Sequence, residues 1–177
     1  MDHLEEFDNQ STGSVKQVSI KWGLISGITS IVFFLIFVFT DSYDDNKNWV
    51  AYIPFVIFMV LAHREFKNSG NGTMTYSQGL GIGTLMALFS YLVSGIFTYI
   101  YAKFVDPDFY SMLSDKMVEQ WEEQGLSQEE IDAALSMTNK FLNPEISFAV
   151  GFFGAVLSGF LIALIVSAIT KKNPNYQ

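Results

Sequence analysis

Cysteine is absent from this chain of 177 residues, which excludes disulfides, thiolate nucleophiles and zinc–sulfur sites. Histidine occurs twice, at His3 and His63, in different segments and too sparsely for an imidazole metal centre. Charge is also scarce. Only 16% of residues are Asp, Glu, Lys or Arg, against about a quarter in a soluble domain. Positive charge is the scarcer sign, with 10 basic residues against 18 acidic ones and a net charge of −8, which excludes nucleic acid as a partner because that calls for a basic face. The first eighteen residues are polar and acidic (Asp2, Glu5, Glu6, Asp8) and lack the basic start and cleavage site of a removable signal peptide. The first apolar run is therefore expected to be an uncleaved anchor.

What remains is long and apolar. Trp22 to Phe39 contains no charge and has 18 residues, about 27 Å of helix against a hydrocarbon core of about 30 Å. Leu80 to Ala102 and Ile146 to Thr170 are longer uncharged runs, and the last must tilt or protrude. Trp49 to Ala62 is short, about 21 Å as a helix, and contains Pro54. Trp49 and Tyr52 at one end suit an aromatic belt, and His63, Arg64 and Lys67 at the other can snorkel to the surface as positive anchors. The expected fold is all-α and polytopic, with four transmembrane helices at about 20–40, 48–66, 78–102 and 145–170. A polar tail covers 1–18, a single membrane domain 19–170 and a second tail 171–177.

Between the third and fourth runs lies an acidic insert, 103–144. Asp106–Pro107 predicts an N-cap followed by a first-turn proline. Tyr110, Leu113, Met117 and Trp121 recur at helical spacing, Gly125 supplies a stop, and Ser127-Gln-Glu-Glu130 is a capping box. Helices are expected over 107–124 and 128–142, paired as a hairpin along Leu113, Met117, Trp121, Ile131 and Leu135. Counting to Glu145, the insert has ten acids against Lys103, Lys116 and Lys140, a local charge of −7.

With four spans, Lys16, Lys21, Arg64, Lys67, Lys171 and Lys172 share one side, and Lys47, Lys103, Lys116 and Lys140 the other. Without the second span the division is five and five. The positive-inside rule therefore favours four spans, both termini cytoplasmic and an extracytoplasmic hairpin.

Three stretches taken together, Ile20-Lys-Trp-Gly-Leu-Ile-Ser-Gly27, Met74-Thr-Tyr-Ser-Gln-Gly-Leu-Gly-Ile-Gly83, and Phe97-Thr-Tyr-Ile-Tyr101 with Asp106–Pro107, give a chain that resembles the bacterial membrane family catalogued as domain of unknown function 4199. The likeness runs from about Ser19 to Thr170. It implies a bacterial cytoplasmic membrane location and supplies no activity or site residues.

Small residues recur every four positions: Gly23 and Gly27 in the first run, Gly79, Gly83 and Ala87 in the third, with Gly95 in phase after Tyr91 interrupts, and Gly151, Ala155, Gly159, Ala163 and Ser167 in the last. Such stripes let helix backbones approach closely. The last is expected to pack on the third or first helix of the same chain. Chance glycine and alanine patterning is the competing reading, strongest for the two-residue cases. Tyr91 falls at mid-depth, where its hydroxyl needs a partner such as Ser90, Ser94 or a serine of the last run. Gly79-x-Gly-x-Gly83 lacks the strand, spacing and downstream acid of a dinucleotide site. The segment Asp41–Asn48 is oxygen-rich but lacks the glycine and terminal glutamate of a calcium loop, so it reads as a connecting turn. The hairpin acids Glu119, Glu122, Glu123, Glu129, Glu130 and Asp132 read as a solvated face, with a cation- or partner-binding face as the alternative.

No catalytic constellation, cofactor motif or metal-ligand pattern is visible, so the expectation is a non-enzymatic scaffold, accessory or interaction protein. Its surroundings would be the lipid bilayer and a membrane-protein partner or further copies of itself. The alternative is a small oligomeric transporter or channel with a Ser/Thr/Tyr-lined path, which needs hydrogen-bonding groups but no charge.

Overall fold

The computed structural model describes the backbone of residues 2–40, 48–70 and 72–172, and within these the side chains from residue 15 on, those of Asn48 and Ala51 excepted. The Asp41–Asn48 turn thus lies outside the described side chains. The described chain is helical: α1 (Asp2–Phe39), a 3₁₀ turn (Asn48–Ala51), α2 (Tyr52–Ser69), α3 (Tyr76–Ile100) continuing into a π-helical turn (Tyr101–Val105), α4 (Phe109–Glu123), α5 (Gln128–Thr138) and α6 (Pro144–Thr170). Three stretches are long and apolar enough to cross a membrane: Val15–Phe39, Tyr76–Val105 and Pro144–Thr170. α2 spreads fewer apolar residues over 18 positions, because it continues through His63, Arg64, Glu65 and Lys67.

The chain divides into two compact units, one formed from 1–94 and 154–177, the other from 95–153. In the first, Val18, Met59, Ala62, Phe66, Met74, Ile82, Met86, Ala163 and Val166 form one buried cluster. α2 contributes Met59, Ala62, His63 and Phe66, the i, i+3, i+4, i+7 pattern of a single buried helix face. The opposite arrangement holds on α6, where Leu157, Leu161, Ile165 and Ile169 are exposed at a spacing of four, as lipid-facing positions should be.

Helix directions can be read from the close contacts. Gly79 faces Ser167 and Gly83 faces Ala163, while Gly159 faces Ala87, so α3 and α6 run antiparallel. Gly23 lies on Met86, Phe89 and Ser90, and Gly27 on Ser90 and Val93, so α1 and α3 run parallel. At the ends of α3 and α6, Met74 and Lys172 exchange two backbone hydrogen bonds of 2.9 Å.

In the second unit, α4 and α5 are amphipathic, with Phe109 and Ile131 buried and Leu113, Met117, Trp121 and Leu135 half-buried. α4 starts two residues later than the Asp106–Pro107 signal predicts. Asp106 O accepts from Phe109 N–H at 3.1 Å in a turn that precedes the helix, and the Tyr101 ring packs edge-on against Phe109 at 6.0 Å. α5 stops at Thr138, four residues short of the expected 142. The following segment serves α6 instead: Asn143 Oδ1 accepts from Ile146 N–H at 2.8 Å, making Asn143 the cap and Pro144 the first residue of α6. Pro144 was expected just ahead of the helix. Asn-Pro-Glu is the signal for this start, outweighed in the sequence by the uncharged run that follows it.

Candidate functional site

Two polar features lie inside the first unit, at different levels of its helices. One is a lock at the level of the α3 N-terminus and the α6 C-terminus. His63 on α2 is completely buried; its Nδ1 is 2.7 Å from Thr170 Oγ1 and its Nε2 3.0 Å from Gly79 O. A carbonyl can only accept, so Nε2 carries the proton. Lys67 Nζ donates to Thr170 O at 2.9 Å. On the α1 side Glu65 accepts from Lys21 Nζ at 3.0 and 2.8 Å and from Trp22 Nε1 at 2.9 Å, while the Trp22 ring stacks obliquely on Phe58, 5.8 Å away. This lock ties α2 to α1, α3 and α6.

The sequence reading takes His63 and Arg64 as paired surface anchors; Arg64 is exposed, but His63 is buried and the reading fails there. The signal was present: His63 falls four residues after Met59, on the buried face of α2. The partners that make burial tolerable, Gly79 and Thr170, are distant in sequence, so spacing could not supply them.

The second feature is a cavity of about 340 Å³ walled by α1, α2, α3 and α6. Its position follows from the small-residue stripe. Gly79, Gly83 and Ala87 step along α3 against Ser167, Ala163 and Gly159. The next rung pairs Tyr91 with Ala155, and both line the cavity. Close backbone approach ends where a small residue gives way to tyrosine. Phe33, Phe34 and Phe55 contribute aromatic wall, and Ser90, Ser94 and Ser158 contribute hydroxyls. Among the described residues, no Asp, Glu, Lys, Arg or His is in the lining.

The structure brings Gly79, Gly83, Gly159 and Ala163 together in one α3–α6 contact, and Gly23 and Gly27 onto α3 rather than α6. Gly151 and Ala155 are half-buried. Nothing in the periodicity of Gly23 and Gly27 indicates which neighbour they serve, since any helix fits such a groove.

The hairpin acids Glu119, Glu122, Glu123, Glu129, Glu130 and Asp132 are all exposed, and no three or more acids, histidines or cysteines among the described residues converge as a metal site would require. Two have structural duties. Glu130 accepts from Ser127 N–H at 2.8 Å and Ser127 Oγ–H at 2.7 Å, and these bonds to the charged form hold its carboxyl below the usual glutamate range. Asp132 accepts from Gln128 Nε2 at 3.0 Å, one turn earlier. Lys103 is paired with Glu145 and donates to the Tyr99 hydroxyl oxygen as a second partner at 2.8 Å.

No curated protein and no solved structure matches the chain. The family described as "Protein of unknown function (DUF4199)" matches residues 21–172, nearly the whole of the described helical region, and the chain belongs to it.

Proposed function

We propose that the chain is a non-enzymatic membrane protein of four spans, an accessory or interaction subunit of a bacterial cytoplasmic membrane, with both termini cytoplasmic and the acidic hairpin outside. The parallel contact of α1 with α3 carries the topology. Two parallel neighbours joined by one segment require that segment to return the chain to its starting side. α2, 18 residues long or about 27 Å, is long enough to do so. The charged end of α2 is compatible with this, because Glu65 is matched to Lys21 and Trp22 and Lys67 to the end of α6. The non-enzymatic reading rests on how the polar groups are used: those at the lock are committed to joining helices, and the exposed acids point to no common centre.

The serine-lined cavity favours a second reading, passage of a solute. Against a through-path in one chain, Met59, Ile82 and Met86 are fully buried and Gly159 rests on Ala87, so the hydroxyl lining stops at a packed core. Transport would require an interface between copies.

Single cysteines test the topology against a native background of none. Ser127→Cys should react with an impermeant thiol reagent in intact cells or spheroplasts and Asn173→Cys should not; equal reaction of both, with cell integrity verified, rejects it. Co-purification from the native membrane tests the role. A stoichiometric membrane partner supports the accessory reading, and solute flux from liposomes holding the purified protein alone replaces it with transport.

A further inference from the structure

The second unit, 95–153, sorts its exposed surface by level. Ile96, Ile100 and Phe104 are exposed at a spacing of four towards the end of the third apolar stretch, and Ile146, Val150 and Phe153 at helical spacing along the start of α6. Exposed apolar rows on helices long and apolar enough to cross a membrane suit lipid. The apolar surface does not end with these rows. Val105, Met137 and Phe141 lie outside them and are each more than half exposed. Exposed acids begin at Asp108, just ahead of α4. From there the surface changes character: between 106 and 136, among the described residues, no large hydrophobic side chain is exposed.

The local contacts gather the apolar residues at the base of the hairpin. Lys103 pairs with Glu145, and the Tyr99 ring meets Phe148 edge-on at 6.0 Å, so the π-helical turn and the first turn of α6 are neighbours. Ser147 Oγ–H donates to Phe141 O, which holds Phe141 beside that same turn, and Met137 precedes it by four residues. Phe104 and Phe141 each follow an exposed lysine, Lys103 and Lys140. A lysine next to an exposed ring suits a bilayer boundary, where the ring enters the acyl margin and the ammonium reaches the phosphates. Lengths agree with this. A headgroup layer is about 5–8 Å thick, whereas α5 covers about 12 Å from Glu129 to Met137 and α4 about 21 Å from Phe109 to Glu123. A hairpin standing on its base thus carries its tip acids clear of the headgroups. One lying flat would need an exposed apolar face along α4 or α5, and 106–136 offers none. We infer that Phe104, Val105, Met137 and Phe141 form a collar seated in the headgroup–acyl boundary of the bilayer, on which the α4–α5 hairpin stands with its acidic tip in water. The inference rests on α3 and α6 crossing the membrane, part of the reading above, and is independent of the second span and of which side is outside.

Single nitroxide labels test it on a chain with no cysteine of its own. The full chain is reconstituted in phosphatidylcholine–phosphatidylglycerol vesicles, and each label's collision rates with oxygen, which concentrates in acyl chains, and with a water-soluble nickel chelate are compared. Phe104→Cys, Met137→Cys and Phe141→Cys report the collar, Glu122→Cys and Glu129→Cys the tip, and Leu157→Cys a span. All six sites are exposed, so a label meets no packed neighbour. The oxygen-to-nickel ratio at the three collar sites should exceed that at the two tip sites several-fold. Tip-like ratios at Met137 and Phe141 overturn the collar, even with Phe104 in lipid. Immobile labels at Met137 and Phe141, shielded from both reagents, overturn it in favour of a second copy of the chain as the cover. Leu157 separates this inference from the reading beneath it. A water-exposed Leu157 label removes the membrane crossing and the collar together, whereas Leu157 in lipid with Met137 and Phe141 in water removes the collar alone.

Discussion

Within 1–94 and 154–177, close approaches run between helix backbones, with Gly83 on Ala163 and Gly159 on Ala87, and the largest fully buried side chains include Met59, Met74, Ile82 and Met86. Within 95–153, the buried hydrophobic residues are Ala102, Phe109 and Ile131, and the most elaborate feature is the Ser127–Glu130 cap. The contrast follows from the solvent each region suits. Lipid is as apolar as leucine, so helices gain little by hiding large side chains from it and associate through shape and internal polar bonds. Short helices studded with exposed acids suit water, where apolar contact and capping stabilise helices too short to persist alone. The first region should therefore be sensitive to size and the second to caps.

The largest effect should come from adding size where the backbones touch. A Cβ on Gly159 would fall on that of Ala87, so Gly159→Leu should cost about 1–3 kcal/mol or more. Leu157→Ile, at a site 59% exposed, should change little. Thermal unfolding in detergent measures both. Greater hydrophobicity would favour leucine at 159 in lipid, so an undiminished melting temperature means that size does not govern this contact.

Next is the histidine lock. His63→Ala removes bonds to Thr170 and Gly79 and should destabilise by about 1–3 kcal/mol, the cost of leaving buried polar groups unsatisfied. His63→Arg sharpens the comparison: it suits a snorkelling anchor but forces a larger, permanent charge into a fully buried site. Arginine should be no better than alanine, and a parent-like melting temperature for the arginine variant would return His63 to the surface.

How much of this was legible beforehand divides along the same line. The three apolar spans stand out because a charge-free run of such length has few alternatives. The capping box at Ser127 is local chemistry and can be read from four residues. The later start of α4 and early end of α5 could not be read so well, since Tyr101 against Phe109 and the capture of Asn143 by α6 decide them from outside each helix. The cavity is marked only by Tyr91 breaking a small-residue series, a signal with meaning once α6 is known to face it.

In the hairpin, Ser127→Ala should cost about 0.5–2 kcal/mol, and Glu122→Ala, on the exposed side, should do little. Circular dichroism during thermal or urea unfolding of the full chain reports both. The pH dependence has a definite sign. Because the folded Glu130 carboxyl titrates below its ordinary value, its contribution is complete above the ordinary glutamate pKa and is lost as pH falls through the lower folded value. Glu130→Gln should flatten that acid-side loss, whereas Ser127→Ala, which keeps the backbone N–H bond, should lessen it only in part. If the parent and Glu130→Gln lose stability in parallel as pH falls, Glu130 is not the group responsible.

The smallest effect has the opposite sign, and it separates packing from hydrogen bonding inside the first region. Ser167 belongs to the small-residue stripe of α6 and is fully buried, yet its Oγ has no hydrogen-bond partner among the described residues. A buried hydroxyl without a partner carries a desolvation cost of about 1–3 kcal/mol, so serine here is worse than its shape alone requires. Alanine keeps the Cβ that sits beside Gly79 and deletes the unpaired oxygen, at the expense of a few dispersion contacts. Ser167→Ala should therefore leave stability unchanged or raise it by up to about 1 kcal/mol, whereas Ser167→Val, which adds bulk against Gly79, should lower it. The order of the three variants is the test. If valine ranks above alanine, the contact has room and the stripe is not set by size. If alanine falls more than about 1 kcal/mol below serine, the hydroxyl is engaged in the membrane, and polar bonding takes over from shape at the end of α6 nearest the histidine lock.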